Sequence, residues 1–294
     1  MHMSDSTDRV LPVLVCIDDS EEMIDVVQWA AEYAAQVDAP LRLVHTVPDG
    51  DWYGSGAFVD GGALEDDLRK LGHEYLERAA AAARTVVPDL YVETVSADGT
   101  IAEFVSTTQA ELVVLGSRKS SYARDIVLGS NTIRIVNRAQ SPVLIWRNGT
   151  DPVSEQRPIV VGVDGSNQSD RAFVLALEMA HTLGIPVIAA HYWGRAADVG
   201  IGLGAGYVDW DKVRAEVKRW LRAHVAVLHE KYPDVKLSIV SAESTPARGL
   251  NTLSSNAAIV AVGSRGRGAV RGAALGSVSQ NLIHHADCSV LVSR

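Results

Sequence analysis

Residues 160–166 read Val-Val-Gly-Val-Asp-Gly-Ser, and residues 14–20 read Leu-Val-Cys-Ile-Asp-Asp-Ser. Each stretch is an apolar run that ends at an aspartate, and the two aspartates, Asp18 and Asp164, stand 146 residues apart. Three further matches follow in the same order at offsets of 146 or 147 residues: 39–45 with 185–191, 128–130 with 275–277, and 141–144 with 288–291. Four ordered matches whose offset changes by only one residue indicate a tandem duplication of a domain-sized unit, far longer than a solenoid repeat.

A polar segment, 148–158, separates the two copies, and we place the domain boundary near residue 151. The chain of 294 residues then divides into domains 1–150 and 151–294, each of ordinary domain size. Hydrophobic residues make up 47% and charged residues 21% of the chain, a balance that excludes a disordered protein.

Each half alternates short apolar runs with helical periodicity. Strands are predicted at 11–17, 41–47, 90–96, 111–115 and 142–146, and again at 158–163, 186–191, 235–241, 257–262 and 289–293. Ser20 is the predicted N-cap of the first helix, Thr100 and Glu103 form a predicted capping box, and a long helix is predicted at 62–86. The alternation predicts an α/β fold with parallel strands and helices on both faces of each sheet.

Charge and apolar content restrict the partners. With 27 basic and 36 acidic residues the formal net charge is −9, which disfavours broad nucleic-acid binding. No apolar stretch approaches the roughly 20 residues that span a bilayer, and the first ten residues lack the apolar core of a signal peptide. We therefore expect a cytoplasmic protein that binds neither nucleic acid nor membrane. Cys16 and Cys288 lie in apolar runs and are interpreted as small core residues.

The strand predicted at 257–262 leads into glycines spaced Gly263-x2-Gly266-x9-Gly276, followed by Ser277 and Ser279. Gly263 and Gly266 let the backbone approach a bulky ligand closely. Gly276 and Ser277 open a predicted helix, whose free N–H groups suit phosphates, and the serine hydroxyls can donate to the same phosphates. Positive charge near this loop comes from Arg265, Arg267 and Arg271. The alternative is a glycine-rich connection that merely turns tightly.

These motifs resemble a tandem-domain universal stress protein of the ATP-binding type. The resemblance rests on residues 161–166, on the Gly-x2-Gly-x9-Gly-Ser spacing and on the closing 288–292, and it covers nearly the whole chain. It implies a doubly wound five-stranded parallel sheet of order 3-2-1-4-5 in each half, dimers, and a role in stress adaptation. It also implies an ATP site in the second half, at Gly162, Val163, Asp164, Gly263, Arg265, Gly266, Gly276, Ser277, Val278 and Ser279.

The first half departs from that pattern. It reads Gly116-Ser-Arg-Lys119-x9-Gly129, so Lys119 stands where the second glycine belongs. A long side chain there could block the ligand, or its amine could reach a phosphate. The resemblance carries over here to Ile17, Asp18, Gly116, Gly129, Ser130, Asn131 and Thr132.

Two pairs of equivalent features flank these motifs. His45 and His191 end the second strand of each half, where they are expected to line or cap the pocket rather than to catalyse. Glycine-rich stretches at 50–62 and 200–206 follow the same strands and are either plain connectors or mobile lids.

The sequence lacks zinc-ligand spacings, a P-loop, a nucleophile elbow and the protein-kinase motifs. Mg²⁺ carried by the ATP phosphates remains open. We therefore expect a regulatory ATP-binding protein, not an enzyme, that acts through conformation or an unknown protein partner and forms a homodimer. The alternatives are a slow ATPase or nucleotide-dependent phosphotransferase, and a scaffold that binds no nucleotide.

The last strand of each half, 142–146 and 289–293, would lie at a sheet edge in the order 3-2-1-4-5. Exposed apolar edges invite pairing. We predict that these two strands pair with each other and join the halves about a pseudo-twofold axis.

Overall fold

Strands and helices alternate through the computed structural model, which describes residues 10–20, 22–47, 61–117, 130–147, 156–194, 209–266 and 275–294. The strands are β1 (Val13–Cys16), β2 (Leu41–Val47), β3 (Val92–Asp98), β4 (Leu112–Gly116), β5 (Val143–Trp146), β6 (Ile159–Gly162), β7 (Val187–Trp193), β8 (Leu237–Glu243), β9 (Ile259–Gly263) and β10 (Ser289–Ser293). The helices are α1 (Met23–Gln36), α2 (Gly61–Val86), α3 (Ile101–Thr107), α4 (Ser130–Arg138), α5 (Asn167–Leu183), α6 (Trp210–His229), α7 (Pro246–Ser254) and α8 (Ser277–His285).

The chain packs into two compact units, one of Met1–Gly116 with Arg138–Ser141 and the other of Ser117–Asn137 with Pro142–Arg294. In the first unit the parallel strands run in the order β3-β2-β1-β4. In the second the order is β5-β10-β9-β6-β7-β8, parallel throughout except at β5. The predicted α/β class with a mostly parallel sheet is confirmed. The boundary predicted near residue 151 lies outside the described residues.

β5 and β10 pair antiparallel inside the second unit. The register sets Val290 opposite Ile145, Leu291 opposite Leu144 and Val292 opposite Val143. The last strand of the first half therefore packs with the second half of the chain, and the predicted pairing of the two last strands is confirmed.

The core consists of the strands and the helix faces that cover them. Residues of β1, β5 and β10 are buried along their whole length, as expected for parallel strands with helices on both faces. Phe173 and Leu177 of α5 are fully buried. Cys16 and Cys288 are 8% and 2% exposed and both are free thiols, so their interpretation as core residues is confirmed.

Helix starts follow local capping chemistry. The predicted capping box is confirmed, because the Glu103 N–H donates to the Thr100 hydroxyl while the Thr100 N–H donates to the Glu103 carboxylate. The prediction that Ser20 caps the first helix is wrong, since α1 begins at Met23 after Glu22. The Ser20 hydroxyl donates to Asp18, as the Ser166 hydroxyl does to Asp164.

Strands β3, β7 and β8 end two residues later than predicted. Backbone pairing continues past the apolar run, as where Val47 lies opposite Asp98 and Trp193 opposite Glu243. The exposed acidic residues Asp98 and Glu243 hide the extension of β3 and β8 from a prediction based on hydrophobicity. The residues added to β7, by contrast, are the aromatic Tyr192 and Trp193. Among the described residues, none of the helices is long and apolar enough to cross a membrane.

Candidate functional site

An aspartate follows the first strand of each half and is held by the serine two residues later. Asp164 Oδ1 accepts hydrogen bonds from the Ser166 N–H at 2.9 Å and from its hydroxyl at 2.6 Å. Asp18 accepts the same pair of bonds from Ser20 at 3.0 and 2.5 Å. The turn therefore fixes each carboxylate at the carboxyl end of a central strand, the edge at which parallel α/β sheets bind ligands.

The glycine loop of the second half meets that carboxylate at Gly266. A Cβ on Gly266 would lie 2.5 Å from Asp164 Oδ2, closer than atoms can approach without a shift. The structure thus brings together Asp164 and the second glycine of the spaced motif. A side chain at position 266 would displace the carboxylate.

The same loop builds the N-terminus of α8. The Gly276 N–H donates to Ser264 O at 2.8 Å, and the Ser264 N–H donates to Ser293 O at 2.8 Å, so β10 anchors the loop. Gly276 is the N-cap and provides no side-chain capping bond. Because the bond from Gln280 N–H to Gly276 O opens the helical ladder, the N–H groups of residues 277–279 lie ahead of it and suit an anion.

The two serines of this helix start differ in their surroundings. Ser277 is exposed. Ser279 is 1% exposed, and its hydroxyl lies within hydrogen-bond distance of two carbonyl oxygens, those of Ser264 at 3.2 Å and Gly276 at 2.9 Å. Ser279 therefore stabilises the contact between Ser264 and the start of α8. The prediction that both hydroxyls donate to phosphate stays a prediction.

Gly162 and Gly263 face helices. A Cβ on Gly263 would lie 2.8 Å from the carbonyl carbon of Gln168 in α5, so this glycine is required for helix packing whatever its role toward a ligand. A Cβ on Gly162 would lie 3.0 Å from Leu250 Cδ1 of α7. These two glycines set how closely α5 and α7 approach the strands that carry the site.

His45 and His191 bind equivalent backbone atoms. His191 Nδ1 lies 2.6 Å from Val163 O and His45 Nδ1 lies 3.0 Å from Ile17 O, in each case the carbonyl just before the aspartate. The His191 ring packs edge-on against Trp220, with centroids 5.0 Å apart. Each histidine thus supports the strand end that presents the carboxylate.

Positive charge collects beside the loop of the second half. Arg265 is exposed. Burial lowers the pKa of Arg294, and the charge of Arg265 lowers it further. The positive charge of Arg265 thus disfavours the charged form of Arg294.

The described candidate residues of the first half lie after β1, at the end of β4 and at the start of α4. Ile17 is buried, and Gly116 is less crowded than Gly263, since its Cβ would lie 3.2 Å from the flexible end of Met23. Ser130, Asn131 and Thr132 open α4. Several predicted features lie outside the described residues: Lys119, Gly129, Arg267, Arg271 and most of the two glycine-rich stretches, 50–60 and 200–206.

The described groups are a carboxylate acceptor, Asp164, and the backbone N–H groups at the start of α8. Nowhere in the described ranges do three His, Cys, Asp or Glu side chains cluster so as to hold a metal ion. The sequence reading missed Ser264, Gln168 and Arg294. Ser264 lies inside the motif, but no residue pattern marks a backbone hydrogen bond to β10.

Comparison with known proteins gives a consistent result. A model described as the universal stress protein family matches residues 10–147 and 156–294. A universal stress protein of Mycobacterium tuberculosis is 33% identical over 295 residues, covering 96% of this chain and 96% of the relative. A second from the same species is 31% identical over 290 residues, covering 97% and 96%.

Solved structures share the fold. The crystal structure of a universal stress protein from Archaeoglobus fulgidus superposes with a TM-score of 0.67 at 18% identity, covering 96% of this chain and 98% of that one. Two other solved universal stress proteins are complexes, one with cAMP and one, from A. fulgidus, with dAMP. They cover 47% and 45% of this chain, with TM-scores of 0.35 and 0.32.

Proposed function

The chain belongs to the universal stress protein family, and from this premise we propose that its second half binds ATP and that binding regulates the protein's conformation or its choice of partner. Members of this family are generally non-enzymatic stress proteins. The site described above offers groups for holding an anion and a polar ligand, in line with a binding role.

One observation carries the proposal: Asp164, Gly266 and the N-terminus of α8 adjoin one another. Gly266 leaves no room for a side chain beside Asp164 Oδ2, and Gly276 would carry a Cβ 3.5 Å from Arg265 Cα. A carboxylate acceptor and a row of N–H donors therefore both lie next to residues 264–266.

These residues suit the two ends of a nucleotide. Phosphates favour the backbone N–H groups and the positive dipole end of a helix. The N-cap of α8 is a glycine without a side-chain bond, whereas Ser166 and Asp209 cap α5 and α6 with their own oxygens. The start of α8 is thus left open to an external anion. Asp164 can accept from a hydroxyl or amine of the remaining nucleoside.

Gly276→Ala combined with Ser277→Ala tests the proposal. A Cβ at Gly276 would make ordinary contacts, at 3.5 Å or more, and Ser277 is exposed, so the double variant should fold. Thr245→Ala is the matched control, because Thr245 starts α7 without a side-chain capping bond. Mass spectrometry of ligand released by acid from each purified protein gives the identity and stoichiometry of bound nucleotide.

We expect ATP from the parent and the control, and a loss of about tenfold or more in the double variant, equivalent to about 1.4 kcal/mol. If the parent carries close to one ATP per chain and the double variant carries none, the ATP site is in the second half. Two ATP per chain would mean that the first half also binds nucleotide and tolerates Lys119. ADP that accumulates on standing would support slow hydrolysis. If the parent carries no nucleotide and binds none when ATP is added, the proposal is wrong.

Two finer parts of the proposal have their own tests. Mg²⁺ would accompany the ATP phosphates, and adding EDTA to the calorimetric titration would then weaken ATP binding. A homodimer is expected to give twice the chain mass in sedimentation equilibrium, and a single-chain mass would contradict that expectation.

A further inference from the structure

Two arginines at matching positions reach across the β5–β10 pair within the second compact unit. Arg147 follows β5 and donates through Nη2 to Ile283 O, near the end of α8, at 2.5 Å. Arg294 follows β10 and donates through Nη2 to Val136 O, near the end of α4. Both arginines, and both acceptors, stand 147 residues apart in sequence. Each last strand thus carries an arginine that holds the last helix of the other half.

These contacts are not surface ion pairs. Arg147 is 4% exposed, and its Nε and Nη1 atoms, like Nε of Arg294, are buried without a hydrogen-bond partner within the described part of the chain. A guanidinium at a helix C-terminus is stabilised by the negative end of the helix dipole. Burial lowers the pKa of Arg147 to about 10. Charges interact more strongly with one another in such buried surroundings than in water.

Of the two arginines, Arg294 adjoins the candidate nucleotide site. Its neighbour Ser293 pairs with Gly263 in the register of β9 and β10, and Ser293 O accepts from the Ser264 N–H. Ser264 O in turn accepts from Gly276, the N-cap of α8. Arg171 of α5 donates to Arg294 O at 3.3 Å. Repulsion from Arg265 disfavours the charged form of Arg294.

We propose that Arg294 is a positioning residue that transmits phosphate binding at the start of α8 to the far end of α4. The inference rests on the proposed function, because the phosphate is that of the bound nucleotide. A phosphate held at α8 offsets the charge of Arg265 and relieves its repulsion of Arg294. The charge-assisted bond from Arg294 to Val136 O then strengthens. Since Ser130, Asn131 and Thr132 begin α4, the helix that responds is the one that carries the first half's candidate residues.

Hydrogen exchange of the full chain with and without ATP tests this link. In the parent, ATP should slow exchange in the last turn of α4 by about fivefold, the lower end of typical coupling factors. Arg294→Gln should abolish that slowing while calorimetry still detects ATP binding. Arg294→Lys, which keeps the charge, should restore part of it. Arg147→Gln is the matched control and should leave the response of α4 intact, because Arg147 contacts α8.

The outcomes separate this inference from the proposed function. If ATP binds but α4 exchange does not change, or if the slowing persists in Arg294→Gln, the link through Arg294 is wrong and the proposed function stands. A persistent slowing would mean that ATP acts on α4 directly. If calorimetry detects no ATP binding to the parent, both proposals fail.

Discussion

The two halves begin their first helix differently although both carry the same Asp-x-Ser spacing. Gly165 has φ +76°, and this left-handed residue turns the chain directly into Ser166, which caps α5. Asp19 stands at the equivalent position, and in the described parts of the chain the residues other than glycine with positive φ are Asp38 and Gln156. Without that turn, Ser20 does not cap and α1 begins at Met23. The two helix starts thus differ while the aspartate is held in the same way.

The two halves also differ where the fourth strand of each half, β4 or β9, meets the first helix of that half, α1 or α5. Because α5 starts early, its Gln168 backbone lies against Gly263, whereas Gly116 meets the flexible end of Met23. The second half is therefore the more tightly packed copy at the glycine that ends its fourth strand. Equivalent substitutions in the two halves should have unequal effects, and the following predictions use that inequality.

The largest difference is expected between Gly263→Ala and Gly116→Ala. The first places a Cβ 2.8 Å from the Gln168 carbonyl carbon, and overpacking of this kind costs about 1–3 kcal/mol. The second requires a shift of the Met23 side chain and should change the free energy of unfolding by less than about 1 kcal/mol. Each half has one buried thiol, Cys16 or Cys288, so the rate of thiol labelling in urea reports each half separately. Equal losses from the two substitutions would contradict the comparison.

The next largest difference is expected when the residues at the second glycine position, Lys119 and Gly266, are exchanged between the halves. Gly266→Lys should displace the Asp164 carboxylate and weaken ATP binding about tenfold or more, or about 1.4 kcal/mol. The reciprocal Lys119→Gly distinguishes the two roles left open for that lysine. A rise in bound ATP per chain would mean that Lys119 blocks the first half, and a fall would mean that it contacts phosphate. Unchanged affinity in Gly266→Lys would remove the basis for a site at this loop.

The pH dependence of stability should also differ between the halves. Burial, and then the charge of Asp18, raises the pKa of Cys16 from 9.0 to about 12. The unfolded chain loses that proton first, so the stabilisation is complete below pH 9 and falls by about 1.4 kcal/mol per unit as the pH rises toward 12.

In the second half two groups act in opposite directions at high pH. Burial raises the pKa of Cys288 to about 12, while burial lowers the pKa of Arg147 to about 10. Above pH 10 the folded chain releases the Arg147 proton, which the unfolded chain still keeps. The free energy of unfolding therefore rises with pH through Arg147, while it falls with pH through Cys288. Urea unfolding followed by circular dichroism from pH 8 to 11 should show that Cys16→Ala leaves the profile unchanged below pH 9 and reduces the decline from pH 9 to 11. Cys288→Ala should reduce the decline by a similar amount, whereas Arg147→Gln should steepen it only above pH 10. An unchanged decline in Arg147→Gln would be inconsistent with this account.

The smallest difference concerns helix caps. Thr100 accepts from the Glu103 N–H, so Thr100→Ala should cost about 1 kcal/mol, typical of a lost N-cap. Thr245 begins α7 without a side-chain capping bond, so Thr245→Ala should change stability by only a few tenths of a kcal/mol. Thermal unfolding of both variants measures the two losses of stability. A larger loss in Thr245→Ala than in Thr100→Ala would contradict the expectation.

Sequence patterns predicted the elements well where burial dictates them. The strands at 41–47 and 289–293 have the predicted bounds, because their apolar residues coincide with their backbone pairing. The Thr100 capping box was readable from its spacing alone. The failure at Ser20 carried a readable signal, since the second half has glycine where the first has Asp19.

Other features had no such signal. A glycine that faces α5, such as Gly263, cannot be distinguished in sequence from one that faces a ligand. The contacts of Arg147 and Arg294 join residues more than 130 positions apart. Their matching position after the last strand of each half is visible in the repeat, but which helix each side chain reaches depends on the packing of β5 with β10.

The β5–β10 ladder also affects how the protein behaves on dilution and how its copies diverge. When two separate chains supply such a ladder, the pair dissociates as the protein is diluted, and a change in the gene alters both strands at once. Here the partner strand is tethered, and its effective concentration does not depend on how many molecules are present. The residues opposite each other, such as Ile145 and Val290, are encoded separately. Each copy is thus free to accumulate its own substitutions while the ladder keeps the two strands together.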